Sequence, residues 1–302
     1  MASLKNRLTE RLGEEAVIEN CDMSKFTSFR AGGKADFLIL PKNEEELSFT
    51  LSVFAQTGMP YMVMGNGSNI LVRDGGFRGA IIKVGEAFGQ IEIEGQTLTA
   101  GCGALMSSVA RAALEAGLTG FEFASGIPGS LGGAVFMNAG AYGGEMAGII
   151  RQARIIARDG SKEYTLSCEE LELGYRHSIL HETGDVAVSV TLELEKGDKE
   201  AISAEMKELA ARRNQKQPVS LPSAGSFFKR PTGYFAGKLI QDAGLKGISV
   251  GGAQVSPLHS GFLVNTGGAT ASDIIQLMEI VQATVLDKFG VKLEPEVRII
   301  GE

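Results

Sequence analysis

The run Ser125-Gly-Ile-Pro-Gly-Ser-Leu-Gly-Gly-Ala-Val-Phe-Met-Asn-Ala-Gly-Ala-Tyr-Gly-Gly144 decides how the rest of the chain is read. Gly126, Gly129, Gly132 and Gly133 alternate with small or apolar residues, so the backbone there can take positive φ and lie bare against a ligand. Successive exposed amides in such a run form a concave nest suited to an anion such as a diphosphate. Asn138 and Tyr142 add polar groups just downstream. The same glycines also suit a tight loop that serves only close packing. The run alone leaves both readings open.

A second glycine loop lies upstream. The apolar strand Tyr61-Met-Val-Met64 leads into Gly65-Asn-Gly-Ser-Asn69 and then Ile70-Leu-Val72. Before it, a strand over 37–40 ends at Pro41, Asn43 and Glu46 predict a capping box, and a helix runs to about Thr57, closed by Gly58. This is a β-α-β unit with a polar glycine loop at a strand end, where nucleotide phosphates are often held. Gly65-x-Gly67 lacks the third glycine of a dinucleotide fingerprint and enters a strand, which excludes a Rossmann site. No Gly-Lys-Ser/Thr follows either loop, so a Walker A site is excluded too.

Further out, residues 3–20 read as a helix with Leu4, Leu8 and Leu12 on one stripe. Strands are predicted at 80–84, 90–94, 97–99, 154–158 and 186–194, with Asp159-Gly160 as a hairpin turn. Helices are predicted at 104–116, at 198–215 with Arg212, Arg213 and Lys216 near its end, and at 271–289 with Ser272 as cap. A boundary falls near residue 196, where strands give way to helices.

Composition narrows the function classes. The chain has 302 residues, 44% hydrophobic and 22% charged, values of an ordinary globular protein. Its 40 glycines are nearly double the usual share of about 7%. A formal net charge of -7 leaves no basic excess for nucleic acid. Cys21, Cys102 and Cys168 lie far apart, and no Cys-x-x-Cys predicts a metal or disulfide framework. No apolar run reaches about 18 residues and the N-terminus lacks a signal core, so no membrane association and a cytoplasmic home are expected.

His177 and His181 stand four apart without a third ligand candidate, and no metal is expected. No Gly-x-Ser-x-Gly predicts a hydrolase nucleophile. Other segments concentrate polar chemistry: Gly174-Tyr175-Arg176, Ser223-Ala-Gly-Ser-Phe-Phe-Lys-Arg-Pro231 and Leu293-Glu-Pro-Glu-Val-Arg298. By themselves they also read as a surface arginine, a turn serine and an edge-strand ion pair.

Taken in order, Thr27-Ser-Phe-Arg-Ala-Gly-Gly-Lys-Ala-Asp36, Gly65-Asn-Gly-Ser-Asn69, Gly126-Ile-Pro-Gly-Ser-Leu-Gly-Gly133, Asn138-Ala-Gly140, Gly174-Tyr-Arg176, Ala224-Gly-Ser226 and Leu293-Glu-Pro-Glu-Val-Arg298 make a pattern that covers essentially the whole chain. The chain closely resembles the UDP-N-acetylenolpyruvoylglucosamine reductase family. The first four motifs resemble the FAD-binding fold of vanillyl-alcohol-oxidase-type flavoproteins; the last three are specific to the reductases. The resemblance implies an α+β protein: an FAD-binding fold of the vanillyl-alcohol-oxidase (PCMH) type in two subdomains, 1–84 and 85–195, and a C-terminal α+β substrate-binding domain, 196–290. The strand near 291–302 is expected to return to the second subdomain.

The resemblance also implies non-covalent FAD, NADPH as co-substrate and a UDP-sugar substrate in peptidoglycan precursor synthesis, by a monomer. It assigns catalysis to Arg176, Ser226 and Glu296. FAD contacts fall on Gly65, Asn66, Gly67, Ser68, Asn69, Ser125, Gly126, Ile127, Pro128, Gly129, Gly132, Gly133, Asn138 and Gly140. Substrate contacts fall on Tyr175, Arg213, Lys229, Arg230, His259 and Arg298. A longer branch of the family inserts a tyrosine-bearing loop after the strand at 186–195 and has asparagine at the position of Arg230. This chain goes straight into a helix there, like the shorter branch. An oxidase on the same fold would need no Arg–Ser–Glu set, and a non-enzymatic FAD protein would not bleach with NADPH.

Overall fold

The fold is that of a computed structural model, which describes residues 2–302. Tertiary contacts divide the chain into two compact units, each discontinuous in sequence. One comprises the chain up to Glu19, Phe37–Asn66 and Gly79–Ala211; the other comprises Asn20–Asp36, Gly67–Arg78 and Arg212–Glu302. Each has its own apolar core.

The first unit is built on strand pairing. A five-stranded antiparallel sheet has the order Glu163–Ser167, Ile150–Ile156, Val186–Glu193, Thr97–Gly101, Ile91–Glu94. In its central strand Val186, Val188, Val190 and Leu192 are buried, the two-residue period that a half-buried strand requires. The β-α-β unit forms as read. Asn43 accepts the Glu46 amide at the start of helix Glu44–Thr57, and Gly58 ends it at φ 65°. Tyr61–Met64 then pairs in parallel with Phe77–Lys83. The predicted Glu46 bond back to the cap residue goes instead to the amide of Lys42, at 2.8 Å.

In the second unit a three-stranded antiparallel sheet, Ser249–Val250, Ala253–Val255 and Leu263–Asn265, packs with the helix Ala271–Phe289. That helix buries Ile274, Leu277, Met278, Val281 and Val285 on one stripe. Its cap is Thr270 in a capping box with Asp273, two residues before the predicted Ser272. Ser272 donates instead to Asp74, whose carboxylate takes the amides of Ala271 and Ser272 at 2.9 and 2.7 Å.

Two further expectations are corrected. The N-terminal helix spans Ala2–Leu12 rather than 3–20, because Gly13 turns at φ 91° and Val17–Asp22, opening on β-branched Val-Ile, becomes a strand. The C-terminal strand, Arg298–Ile300, pairs in parallel with Ile70–Val72, within 1–84, and not with 85–195. Ile70–Val72 is buried along its whole length, and that pairing satisfies its backbone. Among the described residues no helix is long and apolar enough to cross a membrane.

Candidate active site

In the first unit Gly65, the first residue of the upstream glycine loop, meets Ser130 of the downstream run. A Cβ on Gly65 would lie 2.0 Å from Ser130 Oγ, so a side chain there would have to displace that hydroxyl. Ser130 holds the N-cap position of helix Leu131–Phe136, yet its hydroxyl does not cap the helix. That Oγ is buried and has no hydrogen-bond partner in the protein. A buried hydroxyl left unpaired is costly, and it leaves a bond for a ligand atom or water to make, as the hydroxyls of Ser28 and Ser260 also do. A Cβ on Gly133 would reach Ser130 Oγ at 3.8 Å, an ordinary contact. Bare backbone beside an unfilled hydroxyl fits the diphosphate part of FAD.

The other glycines of the run divide between the two readings. A Cβ on Gly132 would sit 2.8 Å from Cys102 Cβ, and the Gly132 amide donates to Cys102 O at 2.8 Å. Close packing therefore accounts for Gly132. Burial drives the Cys102 thiol pKa upward, so it stays protonated. Gly129 takes φ 145°, and its carbonyl accepts the Met106 amide. Ser125 follows the short helix Glu122–Ala124, Ile127 donates to Ala124 O, and Pro128 completes that turn. Gly140 lies in a two-residue strand paired with Gly144–Glu145.

Gly174-Tyr175-Arg176-His177 forms a tight turn, with Gly174 N–H donating to His177 O and His177 N–H to Gly174 O at 3.1 and 3.2 Å. Arg176 is left-handed at φ 56°, and its guanidinium lies 5.1 Å from the centroid of the exposed Tyr175 ring. His181 stacks on Phe136 with centroids 3.8 Å apart. Among the described residues no cluster of ligating side chains suits a metal.

The second unit assembles its polar site from distant segments. Phe228 bridges Pro295, Glu296 N–H donates to Phe227 O at 2.8 Å, and Lys229 N–H donates to Glu294 O at 2.9 Å. This bridge brings the segment just after Ser226 alongside the segment that carries Glu296. On the other side Phe227 N–H donates to Gly261 O at 2.8 Å, and a Cβ on Gly261 would lie 3.3 Å from Ser226 Oγ. Ser226 is exposed and follows Gly225 at φ 76°. His259 Nδ1 accepts the Gly261 amide at 3.1 Å, which leaves Nε2 as the protonated nitrogen of a neutral ring. Burial pushes the pKa of His259 below its ordinary value.

Asn69 and Arg298, expected at cofactor and substrate, bind each other's strands. Arg298 N–H donates to Asn69 O at 3.0 Å, and Asn69 Nδ2 donates to Glu296 O at 3.2 Å. Gly67, at φ 66°, would carry a Cβ 2.1 Å from Phe26 O. Asn66 is exposed and Ser68 half-buried. Arg230 lies 4.0 Å over the Phe235 ring, and Arg213 sits in the last turn of the helix Lys199–Lys216.

Sequence reasoning missed Ser130, Gly261 and Asn265. Ser130 was legible as the lone hydroxyl between Gly129 and Leu131. Asn265 stands out as an amide ending the apolar strand Leu263–Asn265; it is buried and donates to Phe29 O while accepting the amides of Gly267 and Ala269. Gly261 carries no such signal, because its need for a bare Cα arises from residues distant in sequence.

Residues 217–300 match the model of the UDP-N-acetylenolpyruvoylglucosamine reductase C-terminal domain, and residues 35–163 match an FAD binding domain. The UDP-N-acetylenolpyruvoylglucosamine reductase of Clostridium perfringens (strain SM101 / Type A) is 53% identical over 294 residues, 97% of this chain and 96% of the relative. That of Clostridioides difficile (strain 630) is 49% identical over 291 residues, 96% and 95% of the two chains. The crystal structure of UDP-N-acetylenolpyruvylglucosamine reductase from Thermus caldophilus superposes with a TM-score of 0.82 at 36% identity, covering 94% of this chain and 99% of that one.

Proposed function

The chain belongs to the UDP-N-acetylenolpyruvoylglucosamine reductase family, and from that membership we infer that it is an FAD-containing, NADPH-dependent oxidoreductase. It reduces the enolpyruvyl group of UDP-N-acetylenolpyruvoylglucosamine to give UDP-N-acetylmuramate in peptidoglycan precursor synthesis. The fold is the α+β, vanillyl-alcohol-oxidase-type one. We propose residues 1–84 and 85–195 for FAD and 196–290 for substrate; what supports the boundary near 196 is that it lies between the FAD-binding match, which ends at 163, and the C-terminal-domain match, which begins at 217. We further propose a cytoplasmic monomer of the shorter branch. Helix Lys199–Lys216 following almost directly on Glu195–Lys196 supports the branch assignment.

The observation that supports the catalytic reading is the antiparallel bridge of Phe228 with Pro295, which joins the segment just after Ser226 to the segment that carries Glu296. The chemistry that FAD supplies when bound is hydride transfer to the terminal carbon of the enolpyruvyl double bond, leaving negative charge on the α-carbon and its carboxylate. Arg176 offsets that charge as an electrostatic clamp. Glu296, when protonated, donates to the same carboxylate, as a neutral carboxylic acid in an apolar site does. Ser226 gives its Oγ proton to the α-carbon; its partner there is a strong base, so an alcohol suffices as acid. Tyr175, Arg213, Lys229, Arg230, His259 and Arg298 bind and orient the UDP-sugar, with His259 offering Nε2–H as a neutral donor.

The test is anaerobic. Purified yellow protein should bleach with NADPH and recover its absorbance on addition of the enolpyruvyl substrate. Reoxidation by oxygen alone would favour an oxidase, and no bleaching at all would leave a binding protein.

A further inference from the structure

We infer that Asn138 is a positioning residue that holds the turn carrying Arg176, and is not a cofactor ligand; this deepens, and rests on, the reading of Arg176 as the charge-stabilising group. Asn138 follows the helix Leu131–Phe136 by one residue and takes φ 42°, a left-handed conformation that asparagine tolerates. Its side chain is almost fully buried, at 2% exposure. Oδ1 accepts the amide of Ala147 at 2.9 Å, and Nδ2 donates to the carbonyl of Gly174 at 3.1 Å. Each end of the amide thus already has a partner within the protein.

The carbonyl it reaches is the one that closes the Arg176 turn, because Gly174 O also accepts the His177 amide. Two further contacts tie the same two segments together. Ser178, fully buried, donates from Oγ to Phe136 O at 2.8 Å, and the His181 ring stacks on Phe136. Residues 136–138 thus act as a post to which 174–181 is fastened, and the post continues from the helix that begins beside Ser130. Arg176 needs such a fastening. A non-glycine residue in the left-handed region costs roughly 1–2 kcal/mol and persists only where its surroundings hold it. Without the Asn138 bond the turn can relax toward ordinary φ and swing the guanidinium away from its working position. Displacement of a charge-stabilising group by about 1 Å can cost on the order of 100-fold in rate.

The experiment compares Asn138→Gly, which keeps the left-handed backbone and removes both bonds, with the parent holoenzyme. Flavin content and NADPH-driven bleaching should stay within about twofold, while substrate-driven reoxidation slows by about 10- to 100-fold. Amide exchange over 172–178 should quicken while that over 126–133 stays slow, a readout independent of turnover. In an Arg176→Ala background, adding Asn138→Gly should change reoxidation less than about twofold, because contacting residues that act as a unit are not additive. Loss of flavin, or multiplicative effects of the two changes, would overturn the inference. If Asn138→Gly does not fold, Asn138→Asp under alkaline conditions decides by the same measurements, since it keeps the acceptor for Ala147 and faces Gly174 O with an ionised oxygen. A parent protein that does not turn over would instead refute the functional reading, and the exchange measurement would still judge the fastening.

Discussion

Ser130 in one unit and Ser226 in the other each lean on a glycine with no side chain, yet they are built in opposite ways. Ser130 Oγ is buried, without a partner, and 2.0 Å from where a Gly65 Cβ would be. Ser226 is exposed, and its Oγ stands 3.3 Å from the corresponding position on Gly261. The enclosed hydroxyl suits a group that stays in place, as a resident cofactor does. The open one suits a partner that arrives, takes a proton and leaves. A resident site is therefore written in backbone shape and a transient one in side-chain chemistry.

That contrast breaks most visibly at Ser226 itself. Ser226→Ala should slow substrate-driven reoxidation by on the order of 10²–10⁴-fold, the usual contribution of a general acid. Ser226→Cys should keep substantial turnover, since a thiol still carries a transferable proton. Stopped-flow absorbance checks both, and an alanine variant with near-normal reoxidation would remove the proton-donor role.

Gly65→Ala should strike the resident site. Its methyl would collide with Ser130 Oγ, and overpacking of about 1–3 kcal/mol corresponds to roughly 5- to 150-fold weaker FAD retention. Ser130→Gly in the same protein removes the colliding atom and should restore part of the loss. Flavin titration of the apoprotein would show whether it does.

A methyl at Gly261 meets less resistance, 3.0 Å from His259 Cε1 and 3.3 Å from Ser226 Oγ. Gly261→Ala should therefore slow reoxidation only about fivefold to tenfold, with flavin content unchanged. Equal damage to flavin binding would mean that the contrast between the two serines is drawn in the wrong place.

The smallest effect belongs to a residue remote from chemistry. Burial alone would raise the pKa of Asp74, but hydrogen bonds from the Ser272 hydroxyl and the amides of Ser272 and Ala271 outweigh it and hold the carboxylate below its ordinary value. A group whose folded pKa is depressed stabilises the fold above its unfolded pKa of about 3.9, and that contribution disappears as pH falls through the folded value. Asp74→Ala should lower stability by about 1 kcal/mol, as loss of a helix cap does. The difference from the parent, read by calorimetry, should be present at neutral pH and shrink at acid pH, with both half-reactions intact.

The same contrast explains what was legible in the sequence. The Asn43 cap and the Gly58 stop are local, and their physics lies within a few residues; they formed as read. The N-terminal helix failed for an equally local reason, the left-handed stop at Gly13. The segments holding Ser226 and Glu296 stand out for their polar residues, but a role for each came only through resemblance, because the Phe228–Pro295 bridge that joins those segments links parts far apart in the chain. Asp74 caps a helix whose first residue is 197 positions away, and no window of sequence contains that bond. Gly132 and Asn138 show the converse limit: a residue type suited to a ligand serves equally well to pack a cysteine or hold a turn.

The parallel pairing of Ile70–Val72 with Arg298–Ile300 also sets a clock. Asn69 and Glu296, bonded beside that pairing, are 227 residues apart. At a synthesis rate of about 5–20 residues per second, a strand of three buried apolar residues waits roughly 10–45 s for its partner to be made. Through that interval these three apolar residues lack the partner that covers them in the finished fold, and their backbone edge is open to other chains.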